Sequence, residues 1–142
     1  EIFIMHVLFD TNILLDAVLA RDPFLADAAF LLEAVNSGRI EGFLSATTIT
    51  DVHYLVKRQT KSNETAMIAV TQIMRLMEVR MVDRKVLEQA VAFGFGDFED
   101  GVQVACAIVL GLEAIVTRDV DGFTGSPVMV LSPKELKNRI ML

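Results

Sequence analysis

Asp10 ends the apolar run Val7-Leu8-Phe9, and Thr11-Asn12 follow before the chain turns apolar again at Ile13-Leu14-Leu15. A carboxylate set against a buried strand is costly unless something compensates it. Asp51 poses the same problem, on a stretch whose neighbours Ile49, Val52 and Leu55 are apolar. No Lys or Arg stands locally to neutralise either acid. Hard divalent cations take oxygen ligands, and Mg²⁺ is held by a few carboxylates while keeping several waters. Asp10 is therefore read as helping to hold a metal. Further acids gather where strands give way to helices: Asp97, Glu99 and Asp100 after Gly94-Phe95-Gly96, and Asp119 and Asp121 after Ile115-Val116-Thr117. Such carboxylates repel one another in a shared pocket. One or two divalent ions would relieve that repulsion, polarise a phosphoryl oxygen and activate a water for attack on phosphorus. Thr11, Asn12 and Thr117 lie beside the acids, where they could orient such a water or a phosphate.

Simpler roles compete. Asp97 reads most directly as a helix N-cap, and Asp121, in Asp-Gly-Phe, as a turn residue. Asp16, Asp27 and Asp83 read as solvated or capping, and capping competes for Thr11 and Asn12. His6 and His53 have no neighbours for a nucleophile relay and are read as structural. Cys106 falls in the apolar run Val104–Leu110 and is read as core, while Met67, Met74, Met77 and Met81 suit core or dimer packing.

The elements that must position these residues alternate. A short buried strand spans His6–Phe9, with a helix over about 12–19. Asp22-Pro23 predicts the next helix, Asp as N-cap and Pro at its first position, ending near Ser37-Gly38. A strand at Gly42–Ser45 runs into a helix over about 47–58. Ser62 caps a helix to about Met77, Val79–Val82 alternates as a strand, and Asp83 caps a helix ending at Phe93-Gly94. A helix from about Asp97 to Leu110 precedes strands at Glu113–Val116 and Val128–Leu131. Ser132-Pro133-Lys134-Glu135 forms a capping box for the last helix. This alternation predicts an α/β fold with a short, mostly parallel sheet covered on both faces. Ligands in such folds sit outside the carboxyl ends of the strands, which is where the acids cluster.

The 142 residues fit one domain, read as 5–142, with residues 1–4 as an extra N-terminal segment ahead of Met5-His6-Val7. The hydrophobic share is 53% and mean hydropathy +0.47. No apolar stretch reaches the roughly 20 residues of a membrane span, so the surplus is assigned to core and to a homodimer surface on the helices over 23–37 and 62–77. A single cysteine and the lack of a secretory signal fit the cytoplasm. The net charge of −6 argues against nucleic acid unless bound cations offset the clustered acids.

Taken in order, the segments DTNILLD, SATTITDVHYLVKR, DFEDGVQVACA and IVTRDVDGF resemble the four motifs of the PIN domain, and more narrowly of the VapC-like toxin ribonucleases. The resemblance runs over nearly the whole chain from Met5 and implies a three-layer α/β/α fold. It implies that Asp10, Asp100 and Asp119 carry the family's three aspartates, with Asp51 at the second-motif position, and that these four hold the metal and serve catalysis. There the family usually has Glu, one methylene longer, and Asp100-Gly101 stands where Asp-Ala is usual. The implied function is an endoribonuclease using Mg²⁺ or Mn²⁺, with RNA as substrate, an antitoxin protein as partner and a homodimer as the assembly. Lys57, Arg58, Lys61 and Arg118 are the cations available for RNA phosphates. The competing function is a catalytically weak PIN-like module that binds nucleic acid or protein. A dehalogenase-type phosphatase is disfavoured, because its second Asp would fall on Asn12.

Overall fold

Period-two alternation in Val7-Leu8-Phe9 sends Val7 and Phe9 to one side of the sheet and Leu8 to the other, and all three are fully buried. Burial on both faces is the signature of a central parallel strand. In the computed structural model, which describes residues 3–141, this strand is β1 (Met5–Phe9). It is followed by α1 (Thr11–Val18), α2 (Leu25–Asn36), β2 (Ile40–Ser45), α3 (Ala46–Thr60), α4 (Asn63–Leu76) and β3 (Glu78–Arg80). Then come α5 (Arg84–Phe93), α6 (Phe98–Leu110), β4 (Ala114–Val116), a 3-10 turn (Val120–Phe123), β5 (Met129–Leu131) and α7 (Pro133–Met141).

The sheet has five strands in the order β3-β2-β1-β4-β5, and every pairing is parallel. Val7 and Phe9 pack with Ile13, Leu31, Val52, Val56, Ile73 and Leu136, contributed by α1, α2, α3, α4 and α7. On the opposite face Leu8, Phe43 and Ile115 meet Val104 and Ala107 of α6, with Phe123. The expected three-layer α/β/α arrangement is therefore present.

The caps follow the sequence closely. Ser62 accepts from the Thr65 amide, Asp83 from that of Val86, and Ser132 and Glu135 satisfy each other's amides at 3.1 and 3.0 Å. The Asp22-Pro23 prediction fails. These residues lie in a turn closed by the Phe24 amide on the Arg21 carbonyl at 2.9 Å, and α2 begins at Leu25 with no side-chain cap. Burial of Ala28, Leu31 and Ala34 sets where this helix lies, and the local capping signal is overridden. Of the segment expected to precede the domain, residues 1 and 2 lie outside the described residues. Phe3 and Ile4 are irregular and border an apolar groove of about 620 Å³ with Ile40, Leu136 and Ile140, at the amino end of β1.

Gly101 explains its own departure from Ala. A Cβ there would lie 3.2 Å from the Ala90 carbonyl oxygen, so the missing methyl lets α6 settle closely onto α5.

Candidate metal and phosphodiester site

From β1 the chain builds outward through β2 to β3, then returns to lay β4 on the other flank of β1. The crevice beyond the carboxyl ends of β1 and β4 is thus the switch point where open parallel sheets bind ligands. Asp10 leaves β1 there, and Thr117-Arg118-Asp119 leave β4. The first turns of α1 and α6 and the amino-terminal half of α3 close the sides. The resulting cleft, of about 360 Å³, is lined by Asp10, Thr11, Asn12, Asp51, Tyr54, Leu55, Asp97, Glu99, Asp100 and Asp119.

Asp10 is held from two sides. Its Oδ1 accepts from the Thr11 amide at 2.9 Å, making it the N-cap of α1, and its Oδ2 accepts from the Thr117 hydroxyl at 2.8 Å. Thr117, fully buried, in turn accepts from the Asp119 amide at 3.0 Å. One hydroxyl therefore joins the ends of β1 and β4. Asp119 folds over the 3-10 turn, its Oδ1 accepting from the Gly122 amide at 3.2 Å. A Cβ at position 122 would crowd that carboxylate, so a larger residue there would have to displace Asp119. Asp97 caps α6 through the Glu99 amide at 2.9 Å while still facing the cleft. Beneath the acids, Thr48 Oγ1 receives hydrogen bonds from Thr11 Oγ1 (3.2 Å) and Gln103 Nε2 (3.0 Å), pinning α1, α3 and α6 to one buried point.

The acids charge one another. Burial raises the carboxyl of Asp10, opposed by its Thr117 and Thr11 hydrogen bonds and reinforced by the charges of Asp119 and Asp97. Asp100 is pushed up to about 6, by burial first and then by Asp97, Asp10 and Asp119. Glu99 is raised to about 7, chiefly by a hydrogen bond with Asp51, then by burial and by the charges of Asp51, Asp97 and Asp10. Among the described residues no ion pair involves any of these six acids. A set of carboxylate oxygens without a basic partner suits a hard divalent cation. As the side chains lie, no three of the described His, Cys, Asp or Glu stand close enough together to hold one.

Of the residues singled out from sequence, Asp10, Thr11, Asn12, Asp51, Asp97, Asp100 and Asp119 share the cleft, with Thr117 directly beneath. Asp121 does not line it and belongs to the 3-10 turn. Lys57, Arg58 and Lys61 are exposed at the carboxyl end of α3, outside the lining.

Arg118 is placed otherwise than expected. Its guanidinium grips Asp16 with two hydrogen bonds, at 2.7 and 3.2 Å, and lies 3.9 Å from the centre of the Phe24 ring. Asp16, read as solvated or capping, is 1% exposed and also has Arg21 at 3.9 Å. Asp27 likewise pairs with Lys137 at 3.4 Å. His6 is structural, between Glu41 and Glu113 at 3.0 and 2.9 Å, and Cys106 is core. Met77 is buried, whereas Met67, Met74 and Met81 are exposed.

Sequence reasoning named Glu99 among the gathered acids without giving it a role, and did not single out Tyr54 or the Thr48–Gln103 contact. Glu99 was visible only as a helix-opening acid. Tyr54 had a signal, since it lies three residues, close to one turn, beyond Asp51.

A PIN-domain family model matches residues 6–121. No curated protein matches the chain. Among solved structures, DNA-bound VapBC from Salmonella typhimurium superposes with a TM-score of 0.69 at 16% identity, covering 92% of this chain and 99% of that one. A toxin–antitoxin complex from Klebsiella pneumoniae gives 0.66 at 23%, over 89% and 97%. Mycobacterium tuberculosis VapC20, described as a sarcin–ricin-loop-cleaving toxin, gives 0.63 at 17%, over 77% and 86%. At these identities the structures speak for the fold, and the family model over most of the chain speaks for descent. The chain belongs to the PIN-domain family.

Proposed function

We propose that this protein is a VapC-type endoribonuclease that hydrolyses RNA phosphodiester bonds with Mg²⁺ or Mn²⁺, as the toxin of a toxin–antitoxin pair in the cytoplasm. The observation that carries the reading is the convergence of Asp10, Asp100 and Asp119 on one cleft at the switch point, with no basic partner. VapBC complexes among the similar structures support an antitoxin partner. Among the described residues no helix is long and apolar enough to cross a membrane.

When bound, the divalent ion would polarise a phosphoryl oxygen and lower the pKa of a water. The protein's own part is positioning. Thr11 and Thr117 fix both oxygens of Asp10, so its outward lone pairs have a set direction. Asp100 and Asp119 approach from α6 and from the end of β4. Asn12, exposed in the first turn of α1, offers an amide beside amino-terminal N–H groups that favour anions. Tyr54 leaves 61% of its surface exposed at the cleft edge, a ring on which a splayed base can stack. Asp51, Tyr54 and Arg58 share one stripe of α3 at helical spacing, leading an RNA strand outward toward Arg58 and Lys61.

The test is cleavage of a mixed single-stranded RNA pool in Mg²⁺ and in Mn²⁺. Wild type cuts; Asp10→Asn, nearly isosteric, folds by circular dichroism and does not. Wild type that cuts nothing across both metals hands the chain to the binding-module reading. Asp10→Asn that cuts like wild type removes this cleft as the origin of the activity.

A further inference from the structure

We propose that Asp16 and Arg118 are a positioning pair for the cleft, setting where Asp119 stands relative to Asp10. This rests on the metal-dependent reading above and adds to it the contact that fixes the spacing of two of its carboxylates.

Between β1 and β4 the backbone ladder closes with the Asp10 amide donating to the Val116 carbonyl at 3.0 Å. Past that point side chains take over. The Thr117 hydroxyl donates to Asp10 Oδ2 at 2.8 Å, and the next residue, Arg118, donates to the two oxygens of Asp16 at 2.7 and 3.2 Å. Asp119 follows at once, its amide on the Thr117 hydroxyl at 3.0 Å. A single attachment between two elements is a pivot, and a second removes the rotation. Thr117 ties this segment to the N-cap of α1, and Arg118 ties it to the second half of the same helix. Together they fix both the distance and the tilt of residue 119 against Asp10.

Neutralising Asp16 does not by itself call for Arg118. Arg21, five residues on, brings a guanidinium to 3.9 Å, and its amide donates to the Asp16 carbonyl at 3.0 Å. What Arg118 adds is direction. Its planar fork meets both carboxylate oxygens, a match that a point charge such as lysine lacks. Its face lies over the Phe24 ring, 3.9 Å from the ring centre. The guanidinium is thus held at its edge by an acid and on its face by an aromatic. Apolar residues of similar volume often pack such a buried point at least as stably. The distinct contribution of the ion pair is a fixed geometry between α1 and the end of β4.

The experiment separates stability from geometry. Wild type, Arg118→Lys and Asp16→Leu/Arg118→Met are compared by thermal unfolding of metal-free protein, by Mn²⁺ titration calorimetry and by steady-state RNA cleavage. The Leu/Met variant should melt near wild type, since charge and partner leave together. It should nevertheless bind Mn²⁺ about 10-fold more weakly, the low end of what losing a group that orients a ligand costs. Arg118→Lys should share that loss, because lysine keeps the charge but not the fork. The effect on cleavage should fall on kcat, with KM for RNA unchanged, because the pair faces Asp119 and not the strand. A merely structural pair predicts a Leu/Met variant with wild-type stability, Mn²⁺ affinity and kcat, and that result overturns the proposal. A raised KM with Mn²⁺ binding unchanged assigns Arg118 to RNA and overturns it as well. If the double variant does not fold, Arg118→Lys decides alone, and wild-type Mn²⁺ affinity in it sinks the proposal. These outcomes leave the metal-dependent reading standing; wild type that binds no Mn²⁺ brings down both.

Discussion

Arg118→Ala is expected to be among the most destabilising single changes outside the apolar core. The Asp16 carboxylate is 1% exposed and receives both of its short hydrogen bonds from Arg118. Removing one partner of a buried pair leaves an uncompensated charge, at about 3–5 kcal/mol. Arg21, at 3.9 Å, retains part of the compensation and argues for the lower end. Loss of the Arg118–Phe24 contact adds about 0.5–1 kcal/mol, since Phe24 is partly exposed. With an unfolding entropy of about 2.1 cal/mol/K per residue, 3 kcal/mol across 142 residues lowers Tm by about 10 °C. The assay is thermal unfolding of metal-free protein by circular dichroism. An Asp16→Leu/Arg118→Met variant of similar volume should recover most of the loss, because it removes the charge together with its partner. Arg118→Ala within about 0.5 kcal/mol of wild type, the scatter of ordinary surface changes, would show that Asp16 does not depend on this arginine and would refute the reasoning.

The cleft acids make apo stability depend on pH. Asp100, raised from 3.8 to about 6, and Glu99, raised from 4.5 to about 7, bind more protons folded than unfolded within those windows. Their contribution is fully present below about pH 4 and is lost as pH rises through 6 to 7; melts at stepped pH should show this decline, and millimolar Mn²⁺ should reduce it. Thr117→Val removes the donor to Asp10 and the acceptor for the Asp119 amide, and should cost about 1–3 kcal/mol in chemical denaturation with weaker Mn²⁺ binding. The helices over 23–37 and 62–77, where Phe24, Met67, Ile68 and Met74 are exposed, are expected to form a homodimer interface. Sedimentation that finds only monomer at micromolar concentration would contradict it.

What could be read from the chain alone was whatever depends on neighbours in sequence. Apolar runs of strand length, a carboxylate at the end of β1 and caps at Ser62, Asp83 and Ser132 are local patterns, and each imposes its element on the backbone within a few residues. With those elements in α/β order, the gathering of Asp10 and Asp119 follows, because parallel strands deliver their carboxyl ends to one edge. Asp100 opens α6 after the helix α5, not after a strand, and its place in the cleft was decided by how α6 packs. Asp22-Pro23 shows the limit, where a clear local cap yielded to the packing of Ala28, Leu31 and Ala34. The pairing of Asp16 with Arg118 spans 102 positions. Nothing near either residue signals it: by its neighbours Asp16 reads as solvated or capping and Arg118 as a cation for RNA phosphate, and only the laying of β4 beside β1 pairs them. The meeting of Glu99 with Asp51 was hidden for the same reason. Residue type and spacing specify which groups a helix or strand presents, but which two groups face each other across a cleft depends on how separate elements pack. That was decided by the apolar faces of α3 and α6 as they docked on opposite sides of the sheet.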